Sequence, residues 1–451
     1  MTDTTGAPGA TARRERRNFN LFWAGDTLGQ FGYSVGLFLF PLLAATNLHA
    51  TPAEIGLVTA AGTFAFIVLS LPVGVMVDRL PKRPVLFGAN AGRTVALVAG
   101  WAVSLDPRTG MVPLYIAALG VGCCSVAFDI AYQSYPPSLV DPDQYTLANS
   151  RLQSSAQVAQ VSGPTLAGLL AATLHGASAL LATAALYAGS AGVIGRVREV
   201  RTAPPPPRRR IGRELADGVA FVVRQPWLRS VTTSTALWNL SASAATPALI
   251  LLLTDVNGLT SGQAGALLSS GGVGGVLGAV VARRLTSRLG ERVAVWAPLL
   301  LTAPFAFLLP WIAGGLWLVV FCVANLVLWA GAAAYNVAQV SRRVKLCPPE
   351  LLGRMNASIR FFVSGTLPIG AVAGGVLAGV LGVPGTLLLC AVLRVVAAVP
   401  LLIEHAHHRT RAAAGTTVPP AAPPPRDATA APTRDTTPGL RGDASGERVR
   451  P

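Results

Sequence analysis

Three ionisable residues of this 451-residue chain, Asp26, Arg93 and Asp129, stand inside long apolar segments. An unpaired charge at the centre of a bilayer costs at least about 2.5–3.5 kcal/mol. At 1.5 Å per helical residue, each lies about 9–14 Å from the end of its segment, so their depths match. We expect one buried cluster that binds a proton or a charged part of a cargo, with one acid paired to Arg93 and the other free to titrate. A static ion pair that only fixes helix packing is the alternative.

Polar side chains recur at three- and four-residue spacing along four apolar segments, which places them on one face of each helix. Because lipid-facing positions do not tolerate such groups, these stripes predict helices that line a central cavity. The predicted cavity-lining residues are Gln30, Tyr33, Ser125, Tyr132, Asn239, Asn325, Trp329, Asn336 and Gln339. Any one of them could instead form a hydrogen bond between helices.

The elements that would carry these residues are transmembrane helices. Hydrophobic residues make up 52% of the chain and charged residues 12%, which is far outside the range of soluble proteins. A bilayer core of about 30 Å needs about 20 apolar residues per helix, and twelve such segments can be marked. They cover residues 19–46, 53–77, 84–105, 111–135, 152–173, 177–195, 228–254, 262–282, 293–312, 316–340, 356–381 and 384–403. The predicted fold class is an all-α membrane protein with two six-helix repeats.

The net charge of +16 is distributed between the apolar segments and not gathered in one domain, so nucleic-acid binding is not expected. Loops on one side hold nearly all the basic residues, and those on the other side hold only Arg108. The positive-inside rule therefore predicts that both termini are cytosolic. Arginine, alanine and glycine usage is typical of a GC-rich bacterial genome, so the expected location is the bacterial inner (plasma) membrane.

Five regions follow from these boundaries. We expect a cytosolic N-terminal segment (1–18), a first six-helix half (19–195), and a cytosolic linker with an interfacial helix (196–227). A second six-helix half (228–403) and a disordered cytosolic tail (404–451) complete the chain.

An internal repeat relates the two halves. The stretch 149–170 aligns without gaps on 356–377, so that Gly163 falls on Gly370 and Gly168 on Gly375. The entry to the fifth segment thus recurs as the entry to the eleventh. Parallel repeats related by an axis along the membrane normal are a known plan of transporters.

The turn after the second segment reads Gly74-Val-Met-Val-Asp78-Arg79-Leu-Pro-Lys82-Arg83 and resembles the loop signature of the major facilitator superfamily. The stretch 129–140, followed by Ala-Asn-Ser-Arg-Leu-Gln at 148–153 and Gly-Pro at 163–164, is similar to the branch of enterobactin exporters and macrolide-efflux-like proteins. The resemblance covers residues 19–403. It implies the fold of that superfamily more strongly than it implies a cargo.

The resemblance also implies a cytosolic latch formed by Gly74, Asp78, Arg79 and Arg83. An aspartate at the end of one helix can accept hydrogen bonds from the start of another, here the eleventh, and can pair with arginine. The second half has Ala282 where the equivalent acid is expected, so the latch would be asymmetric. A charged turn that only enforces topology is the alternative.

Gly163, Pro164 and Gly168 partly match the antiporter signature of the same family. A proline bends a helix, and small residues allow close helix approach. With Gly271 and Gly275, these residues predict a glycine-lined contact between the fifth and eighth helices on which the halves could rock. Loose packing without a coupling role is the alternative.

Two further residues are singled out. Glu54 belongs to the pattern Thr-Pro-Ala-Glu at 51–54, which predicts a capping box and a structural role. Arg394 lies among valines and leucines of the twelfth segment, and the sequence identifies no partner for it.

These features predict a secondary active transporter that works by alternating access. We expect it to be a proton-coupled exporter of small amphipathic compounds that resemble drugs, antibiotics or siderophores. An uptake carrier or a lipid or lysophospholipid flipping transporter of the same fold is the alternative. No nucleophile–base pair, metal-ligand cluster or Walker-type loop is visible, so we expect no enzyme activity, cofactor or metal. The expected partners are a small-molecule cargo, protons and the lipid bilayer, and the protein is expected to be a monomer.

Overall fold

The computed structural model describes residues 8–141, 144–174, 177–198, 219–347 and 352–413. Within these ranges, the side chains at the chain start, at some segment ends and at a few helical positions, including Asp78, are not described. Residues up to Ala406 form one compact unit. Of the second unit, 407–451, the structure describes only the last residues of a helix that ends at Ala413.

Most of the described residues are helical. The first half contains α1 (Pro8–Leu48), α2 (Pro52–Arg79), α3 (Lys82–Val103), α4 (Val112–Ser134), α5 (Tyr145–Thr173) and α6 (Ser178–Ile194). In the second half, α7 (Pro226–Leu251) precedes the helical run Ser261–Thr302, which Gly290 divides into α8 (261–289) and α9 (291–302). A 3-10 helix (Ala303–Trp311) leads to α10 (Trp317–Leu346), α11 (Leu352–Val380) and α12 (Gly382–Ala413).

The chain reverses direction at Gly290, whose φ of 81° lies in the region that favours glycine. Glu291 forms an ion pair with Lys345 near the end of α10, whereas Thr302 lies against Gly331 nearer the start of α10. Helix α9 is therefore antiparallel to α10. The described chain thus contains twelve principal helices, as predicted.

The two halves repeat the same packing. In the first half, α1 packs on α5, and α2 and α3 pack on α4. In the second half, α7 packs on α11, and α8 and α9 pack on α10. Between the halves, α2 packs on α11 as α5 packs on α8. The predicted architecture of two six-helix repeats is confirmed.

Nine of the described helices are long and apolar enough to cross a membrane by length and composition. Helix α6, at 17 residues, is shorter, while α3 and α5 carry many polar residues. Large apolar side chains are exposed on the outside, for example Val95, Leu301 and Leu316, with exposed fractions of 67%, 67% and 81%. This surface suits lipid, and the chain is a multi-pass membrane protein.

The apolar core differs between the two ends of the bundle. We call the end at which α1 begins, where Lys82 and Lys345 lie, the basic side, and the end at which Thr51 and Thr260 start α2 and α8 the far side. Near the far side, one hydrophobic cluster includes residues of both halves. On the basic side, each half has its own cluster. The halves therefore share a core only toward the far side.

Several predicted boundaries differ from the structure. Helix α1 begins at Pro8, within the predicted N-terminal segment, and α12 continues to Ala413, within the predicted tail. The extension of α12 is stabilised by Glu404, which forms an ion pair with Arg292 at 3.0 Å. Of the predicted linker with its interfacial helix, 199–218 lie outside the described residues, and 219–224 are helical. The tail from 414 onward also lies outside them.

Candidate functional site

Asp26 is fully buried in the first half. Its Oδ1 accepts a hydrogen bond from Gln30 Nε2 at 3.3 Å, one turn further along α1. Its Oδ2 has no hydrogen-bond partner among the described residues. Helix α6 covers α1 closely, because a Cβ on Gly25 would lie 2.7 Å from Ile194 and one on Gly29 would lie 3.2 Å from a hydroxyl of α6. The carboxyl group is thus enclosed by tightly packed helices with one oxygen unbonded.

Arg93 of α3 is also buried, with an exposed fraction of 3%. Its Nε donates to Ser125 Oγ at 3.1 Å, and its Nη1 donates to Asn90 Oδ1 at 2.8 Å. Its Cζ lies 4.6 Å from the ring centroid of Phe128 and 5.0 Å from that of Tyr187. Neutral groups and aromatic faces therefore hold the guanidinium, and the described residues place no carboxylate in an ion pair with it.

Arg93 attracts Asp129 electrostatically, as it attracts Asp26, but the ion pair of Asp129 lies elsewhere. Asp129 forms an ion pair with Arg360 of α11, in the opposite half, and both side chains are partly exposed. Asp129 lies one turn beyond Ser125 on α4, so Ser125 reaches Arg93 while Asp129 reaches α11. Of the three predicted residues, Asp26 and Arg93 are buried, and Asp129 bridges the halves through its ion pair.

The predicted cavity-lining residues fall into two groups. Six are half-buried or exposed: Gln30, Tyr33, Tyr132, Asn239, Trp329 and Asn336. The other three, Ser125, Asn325 and Gln339, are buried. Asn325 Nδ2 donates to Leu268 O at 3.2 Å and to Ser270 Oγ at 3.0 Å, which ties α10 to α8. Ser125 and Asn325 thus correspond to the alternative of hydrogen bonds that fix packing.

The predicted latch is described only in part. The side chain of Asp78 lies outside the described residues. Arg79 is exposed, and Arg83 donates a hydrogen bond to the carbonyl of Gly195, at the end of α6 in its own half. A Cβ on Gly74 would lie 3.9 Å from Ile130 of α4. These contacts fix neighbouring helices of the first half, and the latch across the halves stays a prediction.

Two glycine pairs join the halves toward the far side. A Cβ on Gly56 of α2 would lie 2.5 Å from the carbonyl oxygen of Ala371 and 2.9 Å from the Cα of Gly375 in α11. A Cβ on Gly168 of α5 would lie 3.0 Å from the Cα of Gly265 in α8. Since real Cβ atoms do not approach so closely, only glycine allows these backbones to meet.

The structure places the predicted packing residues at different contacts. Gly168 and Pro164 lie at the contact between α5 and α8. Gly163 packs against Ser34 of α1, and Gly271 packs against Trp329 of α10, so neither contributes to it. A Cβ on Gly275 would meet no atom of the described residues within 4 Å.

Gly56, Gly265 and Gly375 are the functional candidates that the sequence reasoning missed. The sequence contains a pattern that identifies Gly56 and Gly265. Helices α2 and α8 begin with equivalent capping boxes at Thr51 and Thr260, and a glycine follows five residues after each threonine. The first of these boxes confirms the structural role predicted for Glu54. The second marks Gly265 as the counterpart of Gly56.

Comparison with known proteins extends these observations. A family model described as Major Facilitator Superfamily matches residues 23–324 and, in a second match, residues 231–433. The multidrug efflux pump Tap of Mycolicibacterium fortuitum is 26% identical over 370 residues, which cover 79% of this chain and 88% of that protein. The uncharacterized MFS-type transporter y4rN of Sinorhizobium fredii is 26% identical over 345 residues, covering 74% and 82%.

Among solved structures, a bacterial homologue of the iron transporter ferroportin in an inward-facing state superposes with a TM-score of 0.65. It is 19% identical and covers 86% of this chain and 98% of that one. At this identity, the likeness shows the fold alone.

Proposed function

The chain belongs to the Major Facilitator Superfamily, and from that premise we propose that it exports small amphipathic compounds in exchange for protons. It is a secondary transporter and not an enzyme. Export is supported by the 26% identity to a multidrug efflux pump and by the resemblance of the stretch after Asp129 to exporters of the enterobactin and macrolide-efflux-like branch. The basic loops support an orientation with both termini in the cytosol of a bacterium, and we propose that the monomer is the working unit.

The proposed coupling site is Asp26, and its burial is the observation that carries the proposal. An ionised carboxylate is costly inside a membrane unless a cation is bonded to it. Arg93 attracts Asp26 electrostatically but donates its described hydrogen bonds elsewhere. A proton that binds to Asp26 relieves this cost, and its release to water that enters past the half-buried Gln30 restores the charge. Asp26 can therefore alternate between two protonation states during a transport cycle.

The proposed movement uses the contacts between the halves. Toward the far side, the shared core and the glycine pairs Gly56–Gly375 and Gly168–Gly265 hold the halves together. On the basic side, the cores are separate and Asp129 reaches Arg360 through partly exposed side chains. We propose that the far side opens by separating the glycine pairs, and that the basic side then closes through the latch at Gly74, Asp78, Arg79 and Arg83.

The test is a proton-exchange measurement in everted membrane vesicles from cells that express the full chain. A respiratory proton gradient is established and followed with a pH-sensitive dye, and amphipathic antibiotics and catechol siderophores are added one at a time. An exporter that exchanges cargo for protons should dissipate the gradient when its cargo is added, and vesicles with the Asp26→Asn variant should not. A cargo that leaves the gradient intact while crossing the membrane would contradict proton coupling. Accumulation of labelled cargo in intact cells would point to uptake, and movement of labelled lipid between leaflets would point to flipping.

A further inference from the structure

Arg394 is a buried arginine of the second half that the transport cycle described above does not use. It lies on the buried face of α12, with an exposed fraction of 8%. Among the described residues, no carboxylate forms an ion pair with it and no acceptor takes a hydrogen bond from it. The thiol of Cys390 lies one turn earlier on the same helix. A charge in this position is costly unless an anion is bound to it.

One tryptophan adjoins the guanidinium, and a second packs on the first. The Cζ of Arg394 lies 5.4 Å from the ring centroid of Trp238 in α7, and Trp238 meets Trp329 of α10 edge to face, with ring centroids 5.9 Å apart. Arg394, Trp238 and Trp329 each lie about 18 Å from the start of their helices, near the middle of the membrane. Both indoles are half-buried.

The surrounding helices make room for this arrangement. A Cβ on Gly271 of α8 would lie 2.8 Å from Trp329 Nε1 and 2.9 Å from Asn325 Nδ2, so a glycine is needed where the indole packs. Asn325 is fixed in turn by its hydrogen bonds to α8. In the first half, by contrast, Arg93 is hydrogen-bonded to Ser125 and Asn90. Unlike Arg93, Arg394 has no hydrogen-bond acceptor for its guanidinium among the described residues.

We propose that Arg394, Trp238 and Trp329 form a subsite for the anionic end of an amphipathic cargo, a carboxylate or sulfonate attached to an aromatic body. The guanidinium can donate two parallel hydrogen bonds to such a group. The indoles supply flat apolar surface for the aromatic body. The subsite rests on the proposed function, because it assigns the chemical class of the cargo.

The test uses the full-length protein in nanodiscs of zwitterionic lipid and three probes that share one ring system. These are 2-naphthoate, the neutral 2-naphthalenemethanol and the cationic 2-naphthylmethylammonium, whose binding is measured by equilibrium dialysis against empty nanodiscs. We expect the naphthoate to bind saturably and about tenfold or more tightly than the alcohol, as charge-assisted hydrogen bonds typically allow. In Arg394→Gln this preference should vanish, whereas Arg394→Lys should keep part of it. Arg229→Gln removes an exposed arginine of α7 and should bind like the wild type.

Equal binding of carboxylate and alcohol by the wild type would overturn the proposal, and so would a preference that survives Arg394→Gln. The wild-type probe series can overturn the proposal without a variant, and a partial loss of the preference in Arg394→Lys assigns the site to Arg394 if Arg394→Gln does not fold. Naphthoate binding that disappears when anionic lipid is added to the nanodiscs would assign the site to a lipid headgroup and overturn the assignment to cargo. If the charge preference is absent while proton exchange persists in everted vesicles, the subsite is wrong and the proposed function stands.

Discussion

Gly56 of α2 and Gly375 of α11 meet backbone to backbone across the two halves, so that a Cβ on either residue would lie 2.9 Å from the Cα of the other. The equivalent contact between Gly168 and Gly265 repeats this geometry within 0.1 Å, since the corresponding distances are 3.0 Å and 2.9 Å. Two symmetry-related contacts of this kind define a pair of positions where the halves cannot tolerate a larger residue.

We expect Gly375→Ala to impair closure of the far side. Overpacking of a close contact costs about 1–3 kcal/mol, which corresponds to a shift of about 5- to 150-fold in the equilibrium between closed and open far side. Transport in proteoliposomes should fall accordingly, with the protein still eluting as one species in gel filtration. Gly379→Ala, one turn further along α11, adds the same methyl group where no described atom lies within 4 Å, and should leave transport unchanged. Equal activity of the two variants would show that this contact does not limit the cycle.

A cross-link should lock the same side. The hydroxyl groups of Thr165 in α5 and Ser269 in α8 are in hydrogen-bond contact across the halves. In a chain whose native cysteines are replaced by serine, Thr165→Cys/Ser269→Cys should form a disulfide under mild oxidation and stop transport, and a reductant should restore it. Thr165→Cys paired with Gly275→Cys is the matched control and should not cross-link. Transport that continues in a fully cross-linked sample would mean that α5 and α8 need not separate.

The sequence predicts the fold well because helix length and apolar character are local properties. Twelve segments, the repeat and the entry of α2 at Thr51 can all be read without knowledge of the tertiary structure. Helix boundaries are less well predicted. The polar end of α12 continues the helix because Glu404 forms an ion pair with Arg292, which is distant in sequence. The reversal at Gly290 depends on one backbone conformation within a continuous helical run.

The site is predicted less well, for a geometric reason. Depth along a helix follows from residue number, but the direction of a side chain around the helix axis depends on neighbours that are distant in sequence. Asp129 matches Arg93 in depth and yet reaches Arg360 of the opposite half. The glycine contacts pose a related problem: the chain has 47 glycines, and only the packing shows that Gly265, and not Gly275, meets α5.

The ion pair between Asp129 and Arg360 should act through its charge and not through a particular carboxyl group. Asp129→Asn should slow transport by up to about fivefold, because a partly exposed ion pair contributes at most about 1 kcal/mol. Asp129→Arg and Arg360→Asp should each lower the rate further through like charges, and the double exchange should recover most of it. Lys345→Gln breaks an exposed ion pair within the second half and serves as the control. If the double exchange is as inactive as the single variants, Asp129 takes part in proton transfer itself.

The last prediction separates proton coupling from cargo movement at Asp26. Asp26→Asn keeps the shape of the side chain and its hydrogen bond with Gln30 but cannot take up and release a proton in the same way. In proteoliposomes, exchange of labelled for unlabelled cargo without a gradient should continue, because it needs only the movement between the two open states. Transport driven by a pH gradient should fall to the level of protein-free liposomes, and the dependence of the exchange rate on pH should flatten. Glu54→Gln is the matched control, since Gln263 already performs the same capping role at the start of α8. Full gradient-driven transport by Asp26→Asn would place the proton site elsewhere and leave Asp26 as a buried structural acid.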